Sequence, residues 1–444
     1  MTDTLKNSRP VAVPSGRLTR MSRMGGLAAG VAGNMAMNGL IQLGKGTRPQ
    51  ARDLLLTPGN VRRVADELAK MRGAAMKVGQ LMSMDAGELL PPELAEIMAR
   101  LRAEADFMPP KQLKQVLNAE LNEGWLSHFT RFDVRPVAAA SIGQVHRARL
   151  KDGRDVAIKV QYPGIAKSID SDVANVGRLI KLSGLIPPGL ELAPFLDEAR
   201  VQLHDEADYV KEAAHLEMFH TLLSQDDRFV LPGLFSELSS PRVLAMEFVG
   251  SVPIEAVEDM SQDIRDRVAH LLIELTLKEL FQFKWMQTDP NFANYRYQAD
   301  TQRIVLLDFG ATRAVPHSLA APYRTLFQAG LADAPDEALI PPALQLGLLS
   351  ESLEPKYRDT ILSMLRLVFH DTVRNEVFDF AASDMLRRLQ AMGEVMADDR
   401  VVIPPPPMDV LYIQRKFAGM FLLATRLKAR VALRAILSDA VAQR

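Results

Sequence analysis

Hydrophobic and polar residues change their spacing along the chain, and the spacing predicts strands and helices. Residues 145–150 and 155–160 flank a Lys-Asp-Gly-Arg turn, so they are predicted to be paired strands. From Asp197 to Leu223 apolar residues recur every three or four positions without proline or glycine, which predicts one long helix. We expect a short hairpin at 295–307, and a mostly helical chain from Ile254 onward.

The two ends of the chain are more basic than its middle. Residues 1–50 hold seven Lys and Arg and one acid, and Met24–Gly44 is uncharged. Because that stretch is glycine-rich and holds Asn and Gln, we expect a flexible or interfacial segment; a transmembrane helix and a transit peptide are the alternatives. Residues 417–437 predict a basic amphipathic helix at a membrane surface, or else a core-packing helix with solvated basic side chains.

Composition narrows the function classes. The chain has 444 residues, 48% of them hydrophobic and 24% charged, with a formal net charge of −1. This length suits two lobes with extensions, and near-neutral charge argues against nucleic-acid binding through a broad basic face. The absence of cysteine excludes disulfides, Cys-zinc sites and thiol catalysis.

The candidate chemistry starts in Lys284–Tyr297, KWMQTDPNFANYRY. Asp289 and Asn294 are five residues apart, and Asp308 follows Asp289 by nineteen residues, in IVLLDFGAT. Protein kinases place a catalytic Asp and a metal-binding Asn at this spacing, followed by the metal-binding Asp of D-F-G. Because Mg²⁺ prefers oxygen ligands, the pattern favours phosphoryl transfer with Mg-ATP; the alternative is a solvated turn and a hairpin.

The upstream half of a kinase pattern is also present. A kinase phosphate loop has the form G-x-G-x-x-G-x-V and precedes a strand that carries V-A-I-K. Here the frame holds Ala138, Ala140, Gly143 and Val145, and Val-Ala-Ile-Lys ends at Lys159. Glycines let backbone N–H groups approach phosphates, so the alanines should crowd the nucleotide. This favours ATP hydrolysis or a nucleotide-gated switch over efficient transfer to a peptide.

Two more segments would complete a nucleotide site. A kinase lysine pairs with a helix glutamate, and Glu206, Asp208 and Glu212 are the candidates on the predicted helix. Helical spacing alone does not indicate which of these three acids pairs with the lysine. Pro241–Gly250 predicts the last small-lobe strand and the hinge, where adenine would meet the backbone around 247–249.

Four blocks of the chain resemble one known family. It resembles the UbiB-type atypical kinases, the protein-kinase-like proteins required for ubiquinone (coenzyme Q) synthesis, over about residues 20 to 440. The form QTDPN is similar to the eukaryotic and alphaproteobacterial branch of that family. The four blocks are Lys77–Gln80 (KVGQ), Ala138–His146 (AAASIGQVH), Glu206–Ala213 (EADYVKEA) and Gln287–Arg313 (QTDPN through LLDFGATR).

The resemblance implies roles for individual residues. Lys159 is similar to the nucleotide lysine, Glu212 to its helix partner, and Asp289 to the catalytic aspartate. Asn294 and Asp308 resemble the Mg²⁺ ligands. With the hinge included, the predicted nucleotide-binding residues are Ala138, Ala139, Ala140, Ser141, Ile142, Gly143, Val145, Lys159, Glu247 and Val249.

The resemblance also implies regulation. Lys77 and Gln80 belong to a helical extension that, in the family, folds over the place where a protein substrate would lie. Glu206 and Asp208 form the E-x-D motif, and Glu206 is similar to the residue that meets Lys77. Ala140 is similar to an alanine that suppresses kinase behaviour in family members.

The chain departs from ordinary kinases in two ways. Gln287 and Thr288 replace His-Arg before the aspartate, and no A-P-E block follows Asp308. Both departures argue against phosphorylation of protein substrates.

The expected fold is α+β, a bilobal protein-kinase-like fold with an N-terminal helical KxGQ extension packed over the active site. The predicted domains are a basic, Gly/Ala-rich segment (1–49), the KxGQ extension (50–110), a kinase-like N-lobe (111–250) and a kinase-like C-lobe with a basic amphipathic C-terminal helix (251–444).

The predicted function is an atypical kinase-like ATPase that supports ubiquinone biosynthesis at a membrane, with ATP and Mg²⁺ as cofactors. The alternatives are a nucleotide-switched scaffold for quinone-biosynthesis enzymes and a genuine protein or small-molecule kinase. Expected partners are membrane lipids or quinone precursors, a quinone-biosynthesis complex and a second copy of the chain, but no nucleic acid. The expected location is cytoplasmic and peripheral to a membrane, at the bacterial inner membrane or the mitochondrial matrix side.

Overall fold

The computed structural model describes residues 68, 71–85, 107–140, 142–183, 192–398 and 406–442. The described chain forms two compact units, and the division falls after Ala214. The first unit holds the described residues up to Ala214 together with Pro232–Val249. The second unit holds His215–Leu231 and the described residues from Gly250 onward. The predicted lobes, residues 111–250 and 251–444, stay a prediction.

The first unit combines helices with an antiparallel sheet. The sheet has the order β1-β3-β4-β6, and β2 pairs with the start of β3. Its helices are α1 (Arg72–Asp85), α2 (Pro110–Leu121), α3 (Ile165–Ser183), α4 (Ala193–Glu206) and α5 (Tyr209–Leu222, whose last residues belong to the second unit). Its strands are β1 (Phe129–Phe132), β2 (Ala138–Ala139), β3 (Gly143–Leu150), β4 (Asp155–Gln161) and β6 (Val243–Glu247).

The β3–β4 hairpin confirms the predicted strand pair. Gly153 has a φ of +91°, the left-handed region that favours glycine, so the Lys-Asp-Gly-Arg turn closes without strain. Val156, Ile158 and Val160 alternate along β4 and are fully buried. They pack in one apolar cluster with Trp125 and with residues of α2. That core fixes the strand that carries Lys159.

The single long helix predicted for Asp197–Leu223 is wrong. α4 ends at Glu206 and α5 begins at Tyr209. The Asp208 side chain accepts a hydrogen bond from the Lys211 backbone N–H at 3.0 Å, which is the geometry of a helix N-cap. The E-x-D motif is therefore a helix break, even though it contains neither proline nor glycine.

The second unit is mainly helical, with short strand pairs. A four-stranded sheet has the order β5-β10-β9-β7, and β8 pairs with β11. Its strands are β5 (Phe229–Val230), β7 (Val252–Pro253), β8 (Trp285–Gln287), β9 (Tyr295–Gln298), β10 (Arg303–Leu306), β11 (Thr312–Ala314), β12 (Phe378–Asp379) and β13 (Arg430–Val431). Its helices are α6 (Gln262–Lys278, extended by a π-helical turn at Glu279–Phe283), α7 (His317–Leu331), α8 (Asp336–Gln345), α9 (Pro355–Val373), α10 (Met385–Asp398), α11 (Met408–Arg426) and α12 (Leu433–Ala442).

The predicted hairpin after the Asp289 segment is confirmed. β9 and β10 pair antiparallel, with Tyr295 opposite Leu306 and Gln298 opposite Arg303. Ile304 and Val305 are completely buried, so the hairpin is anchored in the core of the second unit. Because Tyr295 pairs with Leu306, the segment that ends at Asn294 and the segment that starts at Leu307 leave the hairpin at the same end.

The single amphipathic helix predicted for residues 417–437 is also wrong. α11 ends at Arg426, Lys428 has a left-handed φ of 51°, and β13 pairs with β12 before α12 begins. Two basic side chains of this segment have acidic partners at the surface: Arg426 pairs with Glu258 and Arg430 with Asp379. Lys416, directly before the segment, is buried. Acidic partners in the fold thus neutralise part of the basic surface that we expected to face a membrane.

No helix in the described ranges has the length and apolar character needed to cross a bilayer. The whole predicted 1–49 segment, including the uncharged stretch Met24–Gly44, lies outside the described residues. Most of the predicted 50–110 segment and Ser141 also lie outside them. The described part of the KxGQ extension, α1, packs against α3 and α4 in the first unit.

Candidate active site

Lys159 projects from β4 to a carboxylate of α5. Its Nζ lies 2.8 Å from both Oε1 and Oε2 of Glu212, and the two side chains are 11% and 3% exposed. The ammonium also lies 5.1 Å from the centroid of the Tyr209 ring. A buried lysine is stable as a cation only when a well-placed anion compensates for lost hydration, and Glu212 meets that requirement. Of the three candidate acids, Glu212 is thus the one that pairs with Lys159.

The alanine-rich loop leads into β3. Ala138 and Ala139 pair with Val145 and Gln144, and the Ala140 N–H donates to the Gly143 carbonyl at 2.9 Å. A Cβ at Gly143 would lie 2.5 Å from the Val160 carbonyl oxygen, so no larger residue fits there without backbone movement. Gly143 is therefore required by the close approach of β3 to β4, whatever the loop binds.

The remaining predicted nucleotide residues have mixed exposure. Ile142 is buried, Val145 is half-buried, and Glu247 closes β6 opposite Val156 with an exposed side chain. Val249, two residues later, is half-buried. Their role in nucleotide binding stays a prediction.

The KxGQ helix contacts the E-x-D motif. Lys77 on α1 is 4% exposed and forms an ion pair with Glu206, the last residue of α4. Asp208 caps α5, as described above. The side chain of Gln80 lies outside the described residues. The structure thus brings Lys77 and Glu206 together, and their regulatory role stays a prediction.

The second unit places Asp289, Asn294 and Asp308 in neighbouring loops. The Leu307 N–H donates to the Asn294 carbonyl at 3.0 Å, which extends the β9–β10 register and puts Asp308 next to Asn294 along the hairpin. The Asn294 side-chain amide lies 3.4 Å from Asp289 Oδ2. Asp308 Oδ1 accepts from the Gly310 N–H at 3.0 Å, which holds this carboxylate in the D-F-G turn.

A short strand pair fixes the Asp289 loop. Gln287 on β8 lies opposite Thr312 on β11, and the Thr288 N–H and hydroxyl both donate to the Ala311 carbonyl. The Gln-Thr that replaces the kinase His-Arg therefore ties the loop to the segment after D-F-G. Phe309 packs on Phe219, with ring centroids 4.8 Å apart.

A cluster of buried polar residues contacts this loop, and no local pattern of the sequence predicted it. Lys416 on α11 donates to the Tyr295 hydroxyl at 2.6 Å and to Gln287 Oε1 at 3.1 Å, and its Nζ lies 3.5 Å from Glu279 Oε2. Burial raises the pKa of Glu279 to about 7, although Lys416 opposes the rise. Burial would lower the pKa of Lys416, but Glu279 and Tyr295 raise it overall, so the lysine is a cation.

Arg415, the neighbour of Lys416, was also missed. Its Nη2 lies 3.3 Å from Asp289 Oδ1, and its side chain is 9% exposed. The two residues are 126 positions apart in the chain. No local spacing reports such a contact, so only the structure could reveal it.

Comparisons with known proteins identify the family of the chain. The ABC1 atypical kinase-like domain matches residues 100–338. The chain is 38% identical to "Atypical kinase COQ8, mitochondrial" of Saccharomyces cerevisiae over 434 residues, covering 97% of this chain and 85% of that protein. It is 36% identical to "Atypical kinase COQ8B, mitochondrial" of Rattus norvegicus over 438 residues, covering 97% and 82%.

A solved structure is also similar. The Rv3197–erythromycin complex from Mycobacterium tuberculosis has a TM-score of 0.60 and 27% identity, covering 83% of this chain and 92% of that one. The family match covers more than half of the chain, and the relatives align over nearly all of it. The fold is thus kinase-like, as predicted, and the chain belongs to the ABC1 (UbiB-type) atypical kinase-like family.

Proposed function

We propose that this chain is an atypical kinase-like ATPase that binds Mg-ATP, hydrolyses it and supports ubiquinone biosynthesis at a membrane. The observation that carries the proposal is the pairing of Asn294 with Leu307, which brings an amide oxygen and the Asp308 carboxylate to one end of a hairpin. Asp289 contacts the same amide.

The donor set suits Mg²⁺ bound together with a nucleotide. Mg²⁺ is commonly held by one or two protein carboxylates plus substrate phosphates, and it rarely uses an all-protein cage. Among the described residues no group of three or more His, Cys, Asp or Glu side chains could hold a metal alone. Asn294 and Asp308 would hold the ion, which, when bound, neutralises charge that develops on the phosphates.

The other residues would orient the nucleotide and the water. Lys159 would bind phosphate oxygens, and Glu212 keeps its ammonium charged and pointed in one direction. Asp289 would accept a hydrogen bond from the attacking water, since its carboxylate is 23% exposed and held at both oxygens. Hydrolysis is favoured over transfer to a peptide because Ala140 occupies a glycine position and the Lys77–Glu206 pair fixes the KxGQ helix.

Nucleotide binding is tested by thermal-shift titration with Mg-ATP, beside ATPase turnover. Asp308→Asn should lose the Mg²⁺-dependent stabilisation, because a charged ligand becomes neutral. The matched control is Asp300→Asn, an exposed aspartate in the turn of the same hairpin, which should behave like the wild type. Unchanged stabilisation in Asp308→Asn would refute the assignment of the metal ligand.

The membrane part of the proposal rests on family membership and on the basic ends of the chain. We propose peripheral association, with membrane lipids or quinone precursors as ligands and with quinone-biosynthesis proteins and a second copy of this chain as partners. Cosedimentation of the full chain with anionic liposomes should weaken as salt rises, since each basic side chain contributes roughly 1 kcal/mol near such a surface. Salt-insensitive binding would point to insertion of residues 24–44, and absence of binding would remove the membrane from the proposal.

A further inference from the structure

Helix α11 contacts the Asp289 loop at three points within five residues. Arg415 reaches Asp289, Lys416 reaches Gln287, and Gly419 packs against Pro290. Residues four apart lie on one face of a helix, so a single face of α11 follows the loop. This contact surface lies wholly within the second unit.

Lys416 anchors that face. Its side chain is fully buried, the ammonium donates hydrogen bonds to Tyr295 and Gln287, and its Nζ lies 3.5 Å from Glu279 Oε2. Removing such a group from its partners would leave buried polar atoms unsatisfied, which is costly. These contacts therefore fix the position of α11 along β8 and β9.

Gly419 sets the distance between helix and loop. A Cβ at this position would overlap the ring of Pro290, so the helix backbone itself lies against the loop. Pro290 directly follows Asp289. The position of the Asp289 backbone is thus determined by α11 as well as by β8.

Arg415 adds an ion pair to the contact between α11 and the Asp289 loop. The guanidinium faces Asp289 Oδ1 while Asn294 faces Oδ2, so both carboxylate oxygens have a donor. The Arg415 Nε is buried and has no hydrogen-bond partner among the described residues, so these residues leave part of the guanidinium's donor capacity unused. The loop from Gln287 to Asn294 contains no Lys or Arg of its own.

Negative charge develops on the phosphoryl group in the transition state, and a nearby cation offsets its repulsion by the Asp289 carboxylate at that point. We infer that Arg415 is a positioning residue for the phosphoryl chemistry: it holds the Asp289 carboxylate and supplies the positive charge that the loop lacks. α11, near the C-terminal end of the described chain, is then a part of the active site. This inference rests on the proposed ATPase function.

The test compares Arg415→Gln with Arg426→Gln. Both arginines lie on α11 and both form a 3.3 Å ion pair, but Arg426 contacts Glu258, far along the chain from the Asp289 loop, and is 47% exposed. Arg415→Gln should lower kcat for ATP hydrolysis by about 10- to 100-fold, the size expected for a misplaced catalytic group, with KM for ATP changed less than about threefold. Arg426→Gln should match the wild type, and Arg415→Lys should recover part of kcat.

A double-mutant cycle separates positioning from a general structural effect. If Arg415 acts through Asp289, adding Arg415→Gln to Asp289→Asn should cause little further loss of kcat. Fully multiplicative losses would overturn the inference, as would an unchanged kcat in Arg415→Gln. Should that variant fail to fold, Arg415→Lys carries the test alone: it keeps the cation, and kcat should fall several-fold at constant KM.

Failure of the inference is distinguishable from failure of the proposed function. If the wild-type chain neither binds nor hydrolyses Mg-ATP, the function is wrong and the inference falls with it. If wild type hydrolyses ATP, Asp308→Asn does not, and Arg415→Gln does so at the wild-type rate, only the role of Arg415 is wrong.

Discussion

The Nζ of Lys159 lies at the same distance, 2.8 Å, from both carboxylate oxygens of Glu212. One residue comes from a strand and the other from a helix 53 positions later. Both are nearly inaccessible to water. The pair therefore serves two purposes: it compensates two buried charges, and it holds an ammonium in one place.

The first prediction concerns the stability that this pair controls. Glu212→Gln leaves the Lys159 ammonium buried without an anion, so the free energy of unfolding should fall by about 3–5 kcal/mol. Urea denaturation measures the change. Replacing Lys159 and Glu212 together by Met should recover most of the stability and still abolish ATP binding.

Lys211 provides the control for that prediction. It is the neighbour of Glu212 on α5, and it pairs with Asp205 in a more exposed ion pair. Lys211→Ala should therefore cost less than about 1 kcal/mol. Equal losses in Lys211→Ala and Glu212→Gln would contradict the claim that burial makes the Lys159 pair important.

Local patterns of the sequence predicted the parts of the fold that are encoded locally. The Asp-Gly turn at 152–153 fixes the β3–β4 hairpin, and that hairpin carries Lys159. The break at Ala207 was not predictable from helical spacing, because it depends on the hydrogen bond by which the Asp208 side chain caps α5. The Asp289–Arg415 contact joins distant segments, and only tertiary packing creates it.

Resemblance to a family supplied what local patterns lacked. Helical spacing left three acids as partners of Lys159, whereas the resemblance pointed to Glu212, which is the acid in contact. It did not extend to Arg415. The predicted amphipathic helix covers residues 417–437, as a membrane-surface helix or a core-packing helix, and Arg415 precedes that segment. Lys416, directly before that segment, shows why charge alone does not predict exposure: a basic residue faces inward when an acid such as Glu279 is buried beside it.

The second prediction concerns pH. His146 is fully buried; its Nδ1 lies 2.9 Å from the Asp133 carbonyl and its Nε2 lies 2.8 Å from Gln144 Nε2. An amide N–H can only donate, so Nε2 accepts and the ring is neutral with its proton on Nδ1. Burial lowers the pKa of His146 to about 4, although the contact with Asp133 opposes the shift.

The sign of the pH effect follows from that pKa. Below about pH 6.5 the unfolded chain binds a proton at His146 that the folded chain does not bind until about pH 4. The free energy of unfolding should therefore fall as the pH drops from 6.5 to 4, by up to about 3 kcal/mol from this residue. Urea midpoints at several pH values measure it: His146→Gln should flatten the slope, whereas His317→Gln, at an exposed histidine, should not. Parallel slopes in wild type and His146→Gln would contradict the prediction.

The third prediction concerns Gly419. Gly419→Ala places a methyl group against Pro290, so it should lower the free energy of unfolding by about 1–3 kcal/mol and reduce ATPase turnover. Gly393→Ala, within α10, meets only Met364 at an ordinary 3.8 Å and should stabilise by about 0.5–1 kcal/mol. Calorimetric midpoints and turnover should separate the two variants. A Gly419→Ala variant that keeps full stability and activity would show that α11 does not position the loop.

The last prediction concerns the alanine loop. Ala140 lies at the second glycine position of the phosphate frame, and its N–H bonds the Gly143 carbonyl at 2.9 Å, so the loop is tightly folded where phosphates would approach. Ala140→Gly removes a methyl group and widens the range of φ and ψ values available there.

If that methyl group sets the nucleotide pose, the variant should bind ATP with altered affinity and begin to phosphorylate itself, while its support of quinone synthesis falls. Labelled ATP measures autophosphorylation beside ATPase turnover, and Ala148→Gly, on β3 outside the loop, tests for a general effect of a new glycine. If wild type already phosphorylates proteins at ordinary kinase rates and Ala140→Gly changes nothing, the loop does not suppress transfer and the chain acts as a plain protein kinase.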